Sequence, residues 1–126
     1  MRRLLLDTNV AVWLLLGDRD RVSTAAVRAL EDTTNDVVLS AVSVWEIAIK
    51  RSLGTATLPD GWAAALQRLG FRPMPISAIH TAAVERLPWH HRDPFDRLLV
   101  AQAEVERCTL VTADRRLAAY PVETLW

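Results

Sequence analysis

Leu4-Leu5-Leu6-Asp7-Thr8-Asn9 is an apolar run that ends in a carboxylate and two further polar residues. Residues 2–6 are predicted to form a short buried strand, and Thr8 can cap a helix over residues 9–16. A carboxylate at the end of a buried strand is costly to desolvate unless a positive charge meets it. Asp7 is therefore the first candidate for a functional site.

The rest of the chain alternates predicted strands with predicted helices. Further strands are expected at residues 37–39, 72–76, 109–111 and 122–125. Helices are expected at residues 24–32, 43–52, 62–69, 78–87, 94–107 and 114–119. Pro73 and Pro75 cannot donate backbone hydrogen bonds, so the strand that contains them should be short or lie at a sheet edge. The alternation predicts an α/β fold with a parallel sheet covered by helices on both faces.

Length and composition favour one globular domain over residues 1–126. Hydrophobic residues make up 51% of the chain and charged residues 24%, which is typical of a folded domain. The single cysteine, Cys108, fits a reducing compartment. The longest apolar run, residues 10–16, is far too short to span a bilayer. We therefore expect a cytoplasmic protein with no membrane segment.

The net charge of zero argues at first against a nucleic-acid partner. The balance is uneven, however, because without four candidate site acids 15 basic residues face 11 acidic ones, a net charge of +4. Fourteen of the 15 basic residues are arginine, whose planar guanidinium suits phosphate. A genome biased toward arginine codons is the alternative explanation.

Three further acids share the placement of Asp7 near the ends of strands or the starts of helices. Asp114 follows the apolar stretch 109–113, and Glu46 and Asp96 lie in the first turns of predicted helices. Ligands of open parallel sheets bind at the carboxyl ends of strands. Acids gathered there would repel one another unless a divalent cation joined them, and Mg²⁺ prefers oxygen ligands. The pattern predicts a metal-dependent enzyme of phosphate chemistry.

Each acid also has a purely structural explanation. Ser43-Val44-Trp45-Glu46 fits a capping box, in which Glu46 would only satisfy a backbone amide. Asp7, Asp96 and Asp114 could equally be favoured near helix N-termini by the helix dipole.

Other titratable residues are weaker candidates. Asp93 is most simply a helix cap, because Pro94 follows it at the first helical position. His80 is expected at the surface of its helix, and His90 and His91 share a polar loop. The four glycines are isolated, so no glycine-rich phosphate loop is present.

Taken in order, the motifs become specific. They are Asp7-Thr8-Asn9 after a strand, Ser43-Val44-Trp45-Glu46-Ile47 opening a helix, Asp93-Pro94-Phe95-Asp96-Arg97 leading into a long helix, Thr112-Ala113-Asp114 after a strand, and a C-terminal segment over residues 120–126. This series resembles the PIN-domain nucleases, and within them the VapC toxins of toxin–antitoxin pairs, over essentially the whole chain.

The resemblance implies a three-layer α/β/α sandwich and a Mg²⁺- or Mn²⁺-dependent endoribonuclease that acts on transfer RNA or ribosomal RNA. The four catalytic, metal-binding acids of the family map onto Asp7, Glu46, Asp96 and Asp114, and Asp93 matches an accessory acid. VapC-like proteins usually form dimers and are silenced by a small antitoxin protein. The apolar helix over residues 9–16 would suit one of those interfaces.

Polar residues beside the acids are candidates to orient them. Thr8, Asn9 and Thr112 are close enough in sequence to do so, and the loss of such a group typically costs ~10–100-fold in metal affinity or activity. Their alternative is a simple structural role as caps and turn residues.

RNA contacts are expected from residues that flank the acids. Arg97, Arg115 and Arg116 could hold phosphates, which position an RNA without reading its sequence. Trp89, in a polar loop, is the best candidate to stack on an unpaired base, whereas Trp45 is better explained as a core residue.

Two other functions compete with the ribonuclease. A non-catalytic RNA- or protein-binding module would use the acids as caps and need no metal. A phosphohydrolase for small substrates would be expected to carry an Asp-x-Asp motif, but Asn9 occupies its second position.

Overall fold

The computed structural model describes residues 1–126 and contains one five-stranded sheet. The strands are β1 (Arg3–Leu6), β2 (Asp36–Ser40), β3 (Arg72–Met74), β4 (Thr109–Val111) and β5 (Thr124–Leu125). The helices are α1 (Thr8–Leu16), α2 (Thr24–Glu31), α3 (Ala41–Ser52), α4 (Trp62–Arg68), α5 (Ala78–Ala83) and α6 (Pro94–Glu106). Short 3₁₀ helices cover Arg19–Arg21, Val84–Arg86 and Arg115–Ala119.

All neighbouring strands of the sheet are parallel, in the order β3-β2-β1-β4-β5. The predicted parallel α/β architecture is thereby confirmed. The proline-containing strand β3 lies at an edge, as expected, because Pro73 has no N–H to donate to a second neighbour. Strand β1 lies at the centre, where Leu5 pairs with Val38 of β2 and Leu110 of β4.

Side chains of β1 alternate between two hydrophobic cores. Leu5 belongs to the core that includes Leu99 of α6, whereas Leu4 and Leu6 belong to the core that includes Val10 of α1. All three leucines are fully buried, and burial of such a side chain typically contributes about 1.5–3 kcal/mol. Helices cover both faces, which confirms the three-layer α/β/α sandwich.

The start of α3 differs from the prediction. Strand β2 runs directly into α3, and Ser40 is the N-cap because its Oγ accepts a hydrogen bond from the Val42 N–H at 3.0 Å. Ser43 lies inside the helix, so the predicted capping box with Glu46 is wrong. Both Ser40 and Ser43 have cap chemistry, and only the path of the chain out of β2 selects the first.

Two further local expectations are corrected by packing. Thr8 is the first residue of α1, and the N-cap position belongs to Asp7, whose side chain makes no capping bond. His80 is buried rather than exposed, because α5 packs against α6. Its Nδ1 accepts from the Ser77 N–H at 3.1 Å and lies 3.2 Å from Gln102 Nε2.

Helix α1 is buried on one side only. Val10 and Ala11 are fully buried, whereas Leu16 is exposed and the Trp13 ring contacts Trp126 at a centroid distance of 5.9 Å. The helix therefore presents apolar side chains to its surroundings. No helix of the structure combines the length and apolar character that a membrane span requires.

Candidate active site

Asp7 and Asp114 lie at the same edge of the sheet. Asp7 directly follows β1 and Asp114 follows β4, and these neighbouring parallel strands are in register at Leu6 and Val111. The Asp7 N–H donates to the Val111 carbonyl at 3.0 Å, which fixes the backbone where β1 meets α1. The carboxyl ends of two central strands thus bring together acids that are more than 100 residues apart in sequence.

Glu46 reaches the site from α3 and is buried, with only 4% of the residue exposed. Lys50, one turn later, donates to Glu46 Oε2 at 2.6 Å, and this hydrogen bond raises the pKa of the lysine. The other oxygen, Oε1, is buried without any hydrogen-bond partner. Such an oxygen requires an explanation, and a cation is the natural partner for a carboxylate.

Asp93 and Asp96 enter from the start of α6. Asp93 is the predicted N-cap, because its Oδ1 accepts from the N–H groups of Phe95 at 2.8 Å and Asp96 at 3.1 Å. These bonds also fix the backbone from which the Asp96 side chain projects. The second carboxylate oxygen of Asp93 makes no hydrogen bond within the chain, so helix capping uses only one of the two oxygens.

Burial and mutual repulsion change the proton affinity of the acids. The pKa of Asp96 is raised to about 7, first by desolvation and then by the negative charges of Asp7, Asp93 and Glu46. Burial also raises the pKa of Asp7, although its hydrogen bond from Thr112 opposes the shift. The acids from β1, α3 and α6 therefore act on one another as a single electrostatic cluster.

Asp114 differs, because a guanidinium faces it. Arg116 Nε donates to Asp114 Oδ1 at 3.1 Å and Nη2 donates to Oδ2 at 3.0 Å, and these bonds hold the pKa of Asp114 below its usual value. The Arg116 N–H also donates to Asp114 Oδ1 at 2.9 Å. Asp114 is thus held as a carboxylate at the rim of the cluster.

Thr112, one of the residues expected to orient the acids, contacts two of those acids. Its Oγ1 donates to Asp7 Oδ2 at 2.6 Å and accepts from the Asp114 N–H at 3.0 Å. Thr8 Oγ1 instead donates to Ser43 Oγ at 2.9 Å, which joins α1 to α3. Asn9 is exposed and makes no side-chain hydrogen bond, so the structure offers no orienting contact from it.

The site also contains His91, which sequence reasoning ranked low. His91 Nε2 lies 3.1 Å from Asp96 Oδ2 and 3.3 Å from Asp114 Oδ2. One potential metal-ligand atom from each of these three residues lies within 4.8 Å of those of the other two. Nothing in the sequence distinguished His91 from His90, because a loop carries no periodicity that shows which side chain points inward.

Comparison with known proteins identifies the family of the chain. The profile of the PIN domain family matches residues 4–123, which is nearly the whole chain. The chain belongs to the PIN domain family. It is 31% identical to Ribonuclease VapC22 from Mycobacterium tuberculosis, in an alignment that covers all of both sequences. The resemblance to VapC proteins noted from the motifs is therefore confirmed.

Solved structures show the same PIN fold. VapBC2 from Rickettsia felis, bound to a DNA fragment from its promoter, matches with a TM-score of 0.72 at 19% identity and covers 98% of this chain and 97% of the other. DNA-bound VapBC from Salmonella typhimurium matches with a TM-score of 0.71 at 14% identity over 99% and 98% of the two chains. At this identity the likeness concerns the fold alone.

Arg97, the arginine that follows Asp96 in this PIN domain, is not placed to contact RNA. Only 3% of Arg97 is exposed. Its guanidinium donates to the carbonyls of Pro88 at 2.9 Å, Val84 at 3.2 Å and Leu87 at 3.3 Å, and stacks 3.7 Å from the ring centroid of Trp89. These contacts occupy the side chain inside the protein, and we leave Arg97 out of the proposed RNA contacts.

Two tryptophans near the acids, Trp89 and Trp45, are both exposed, although only Trp89 was expected to be. Trp89 is 76% exposed, with one face on Arg97. Trp45 was expected in the core, but its ring is half exposed and packs edge-on against Phe95 at a centroid distance of 4.7 Å. Both rings therefore border the surface around the acids.

The donor set of the site fits a hard divalent cation. Its acids offer carboxylate oxygens, which suit Mg²⁺ or Mn²⁺, and Glu46 Oε1 is a buried oxygen that lacks a partner. A cavity of about 680 Å³ that none of the acids lines has mainly apolar walls, among them Leu39, Val44, Phe71 and Met74. The chemistry of a phosphodiester requires the charged acid cluster rather than this apolar cavity.

Proposed function

We propose that this VapC-type PIN protein is a Mg²⁺- or Mn²⁺-dependent endoribonuclease and the toxin of a type II toxin–antitoxin system. The observation that carries the proposal is the convergence of four acids, Asp7, Glu46, Asp96 and Asp114, with Glu46 Oε1 buried and without a partner. Carboxylates that share one partly buried cluster repel one another when they are charged, and a bound cation offsets that repulsion. The relative VapC22 is named a ribonuclease, which supports the reaction class.

The four acids, assisted by Asp93, would hold the divalent ion. When bound, such an ion would supply an activated water nucleophile and charge stabilisation for the departing 3′ oxygen of a phosphodiester. Two neighbouring residues would orient these acids, because Thr112 donates to Asp7 Oδ2 and Lys50 donates to Glu46 Oε2. Because water rather than the 2′-hydroxyl attacks, the products should carry 5′-phosphate and 3′-hydroxyl ends.

Residues at the rim of the site are proposed to bind the RNA, which we expect to be transfer RNA or ribosomal RNA. Arg115 is exposed, and its side chain makes no hydrogen bond or ion pair within the chain, so its guanidinium is free for a phosphate. Trp89 offers an exposed ring to an unpaired base, and such stacking typically contributes about 1–3 kcal/mol per base. Arg116 is the weaker phosphate candidate, because it already pairs with Asp114.

The proposed protein partners are a small antitoxin and a second copy of the chain. A toxin–antitoxin complex from Klebsiella pneumoniae contains a chain of the same fold, with a TM-score of 0.67 over 98% of this chain. The apolar outer side of α1, which ends in the exposed Leu16, supports a protein contact there.

The proposal is tested with purified protein freed from any co-expressed partner. Total cellular RNA is incubated with the protein in Mg²⁺, Mn²⁺ or EDTA, beside the Asp7→Asn/Asp96→Asn variant, and the new RNA ends are mapped. We expect discrete cuts with 5′-phosphate ends that need metal and are lost in the variant.

Two results would contradict the proposal. Ends with 2′,3′-cyclic phosphate would show that the 2′-hydroxyl attacks. Intact RNA after incubation with folded, metal-loaded protein, together with RNA or protein binding unchanged in the Asp7→Asn/Asp96→Asn variant, would favour a non-catalytic binding module.

A further inference from the structure

The hydrogen bonds of His91 assign its tautomer. The backbone N–H of Asp93 donates to His91 Nδ1 at 3.0 Å, so Nδ1 is an acceptor and carries no proton. The proton of the neutral ring therefore sits on Nε2. Nε2 is the atom that lies 3.3 Å from Asp114 Oδ2 and 3.1 Å from Asp96 Oδ2. His91 thus directs its N–H at Asp114 and brings the same nitrogen close to Asp96.

We propose that His91 is a positioning residue of the active site, which holds Asp96 and Asp114 at a fixed separation because its Nε2 donates to Asp114 and packs against the Asp96 carboxylate. This inference rests on the proposed function, since it concerns how the same acids are prepared for a divalent ion. It assigns a role to a residue outside the four acids. It also joins acids from two elements, the start of α6 and the turn after β4, that share no direct hydrogen bond.

A metal-ligand role for His91 is the competing interpretation, because three donor atoms lie close together. Ligation through Nε2 requires a lone pair on that atom, which in a neutral ring places the proton on Nδ1. A protonated Nδ1 would then face the Asp93 N–H, and two donors would meet at 3.0 Å. The fixed backbone of the α6 N-terminus therefore favours donation over ligation.

His91 is held in place by a buried support. Its backbone N–H donates to Tyr120 Oη at 3.0 Å, and Arg97 Nη1 donates to the same oxygen at 3.2 Å. Arg97 also binds the carbonyls of Pro88 and Leu87, so it orders the loop that leads to His91. The arginine after Asp96 therefore acts on the site indirectly, through the loop and Tyr120.

The tautomer is tested first, because it needs neither metal nor RNA. Long-range ¹H–¹⁵N spectra of the metal-free protein report which imidazole nitrogen carries the proton, and the His91 signals are assigned by their loss in His91→Ala. We expect the Nε2–H form. An Nδ1–H form would overturn the inference directly, whether or not the protein cleaves RNA.

Metal affinity tests the positioning role. Mn²⁺ binding, followed by electron paramagnetic resonance, is compared for wild type, His91→Ala, His91→Gln and the neighbouring exposed control His90→Ala. We expect affinity to fall ~10-fold or more in His91→Ala, the scale typical of groups that orient ligands. His91→Gln should retain most of the affinity, because its carboxamide N–H can replace the donor. His90→Ala should match wild type, and thermal unfolding of each variant reports whether it is folded.

The Mn²⁺ measurements distinguish the positioning role of His91 from the proposed function. Unchanged Mn²⁺ affinity in folded His91→Ala would overturn the positioning role alone. A directly coordinated ¹⁴N in the spectra of bound Mn²⁺, lost in both His91 variants, would replace it with ligation. Wild-type protein that binds no Mn²⁺ would overturn the proposed function and the positioning role with it.

Discussion

The acid cluster has a deep pair and a rim pair that are built in opposite ways. The deep pair, Asp7 and Glu46, is 5% and 4% exposed and comes from the end of β1 and the interior of α3. The rim pair, Asp96 and Asp114, has side chains that are 16% and 24% exposed. Thr112 and Lys50 contact the deep pair, whereas His91 and Arg116 contact the rim pair.

The difference shows that surroundings, rather than residue type, set the charge of each acid. Burial raises the pKa of Asp7, and a guanidinium fork lowers the pKa of Asp114. The pKa of Asp96 is raised to about 7, because Asp96 is partly buried and faces the other acids. A divalent ion would stabilise the charged form of the acids with raised pKa most strongly, because its charge offsets both their desolvation and their mutual repulsion.

Removal of a deep acid should have the largest effect. We expect Asp7→Asn to lower RNA cleavage at least ~1000-fold, because metal-ion catalysis contributes several kcal/mol to transition-state stabilisation. Initial rates on a mapped RNA substrate measure this. Asp20→Asn, a change at an exposed surface acid, is the matched control and should cleave at the wild-type rate. Comparable rates for Asp7→Asn and Asp20→Asn would remove Asp7 from the catalytic set.

The raised pKa of Asp96 predicts a pH dependence of stability in the metal-free protein. The folded-state pKa of Asp96, about 7, exceeds the ordinary value of 3.8. Protonated Asp96 therefore contributes its full share to the free energy of unfolding below about pH 4, and this contribution is lost as pH rises through about 7. We expect the free energy of unfolding, relative to Asp96→Asn, to fall by a few kcal/mol over this range. Urea denaturation in EDTA at several pH values measures it.

Divalent metal supplies the control for this pH effect. With saturating Mg²⁺ the loss of stability between about pH 4 and about pH 7 should shrink or reverse, since the ion binds the deprotonated acids. If wild type and Asp96→Asn show parallel stability profiles in EDTA, Asp96 does not differ from an ordinary exposed carboxyl group.

Thr112 connects the deep pair to the rim pair, so its loss should affect both. Thr112→Val keeps the shape of the side chain but removes the donor to Asp7 and the acceptor of the Asp114 N–H. We expect Mn²⁺ affinity to fall ~10–100-fold, as is typical when a group that orients metal ligands is lost. Isothermal titration calorimetry measures this. Thr112→Ser, which keeps the hydroxyl, should recover most of the affinity; equal loss in both variants would indicate a packing effect instead.

The smallest effect is expected at the rim arginines. Arg115→Gln should reduce the slope of log affinity for single-stranded RNA against log salt by about 0.7, the contribution of one phosphate contact. Arg116→Gln should reduce it less, because Arg116 already pairs with Asp114. Fluorescence anisotropy with metal-free protein at several salt concentrations tests both. A larger change for Arg116 than for Arg115 would show that RNA displaces the Asp114 contact.

The pattern of apolar strands and helix signals was sufficient to predict the parallel α/β sandwich and the edge position of β3. The acids could be predicted as site residues only from the order of the motifs along the whole chain, because Glu46 on its own fits a capping box better than an active site. The structure removes that alternative, since Ser40 caps α3 and Glu46 pairs with Lys50. The four-residue spacing of Glu46 and Lys50 was a signal that sequence reasoning could have used.

The sequence by itself determined which acids the chain carries and at which ends of strands and helices they stand, because strand periodicity and parallel order place those ends together. Only the tertiary structure decided which neighbours reach them. Arg97 was expected to face RNA, yet it is buried and supports the loop that carries His91. Loop side chains such as His91 follow no periodicity, so their direction depends on contacts made across the fold, here from Tyr120 and the backbone of Asp93.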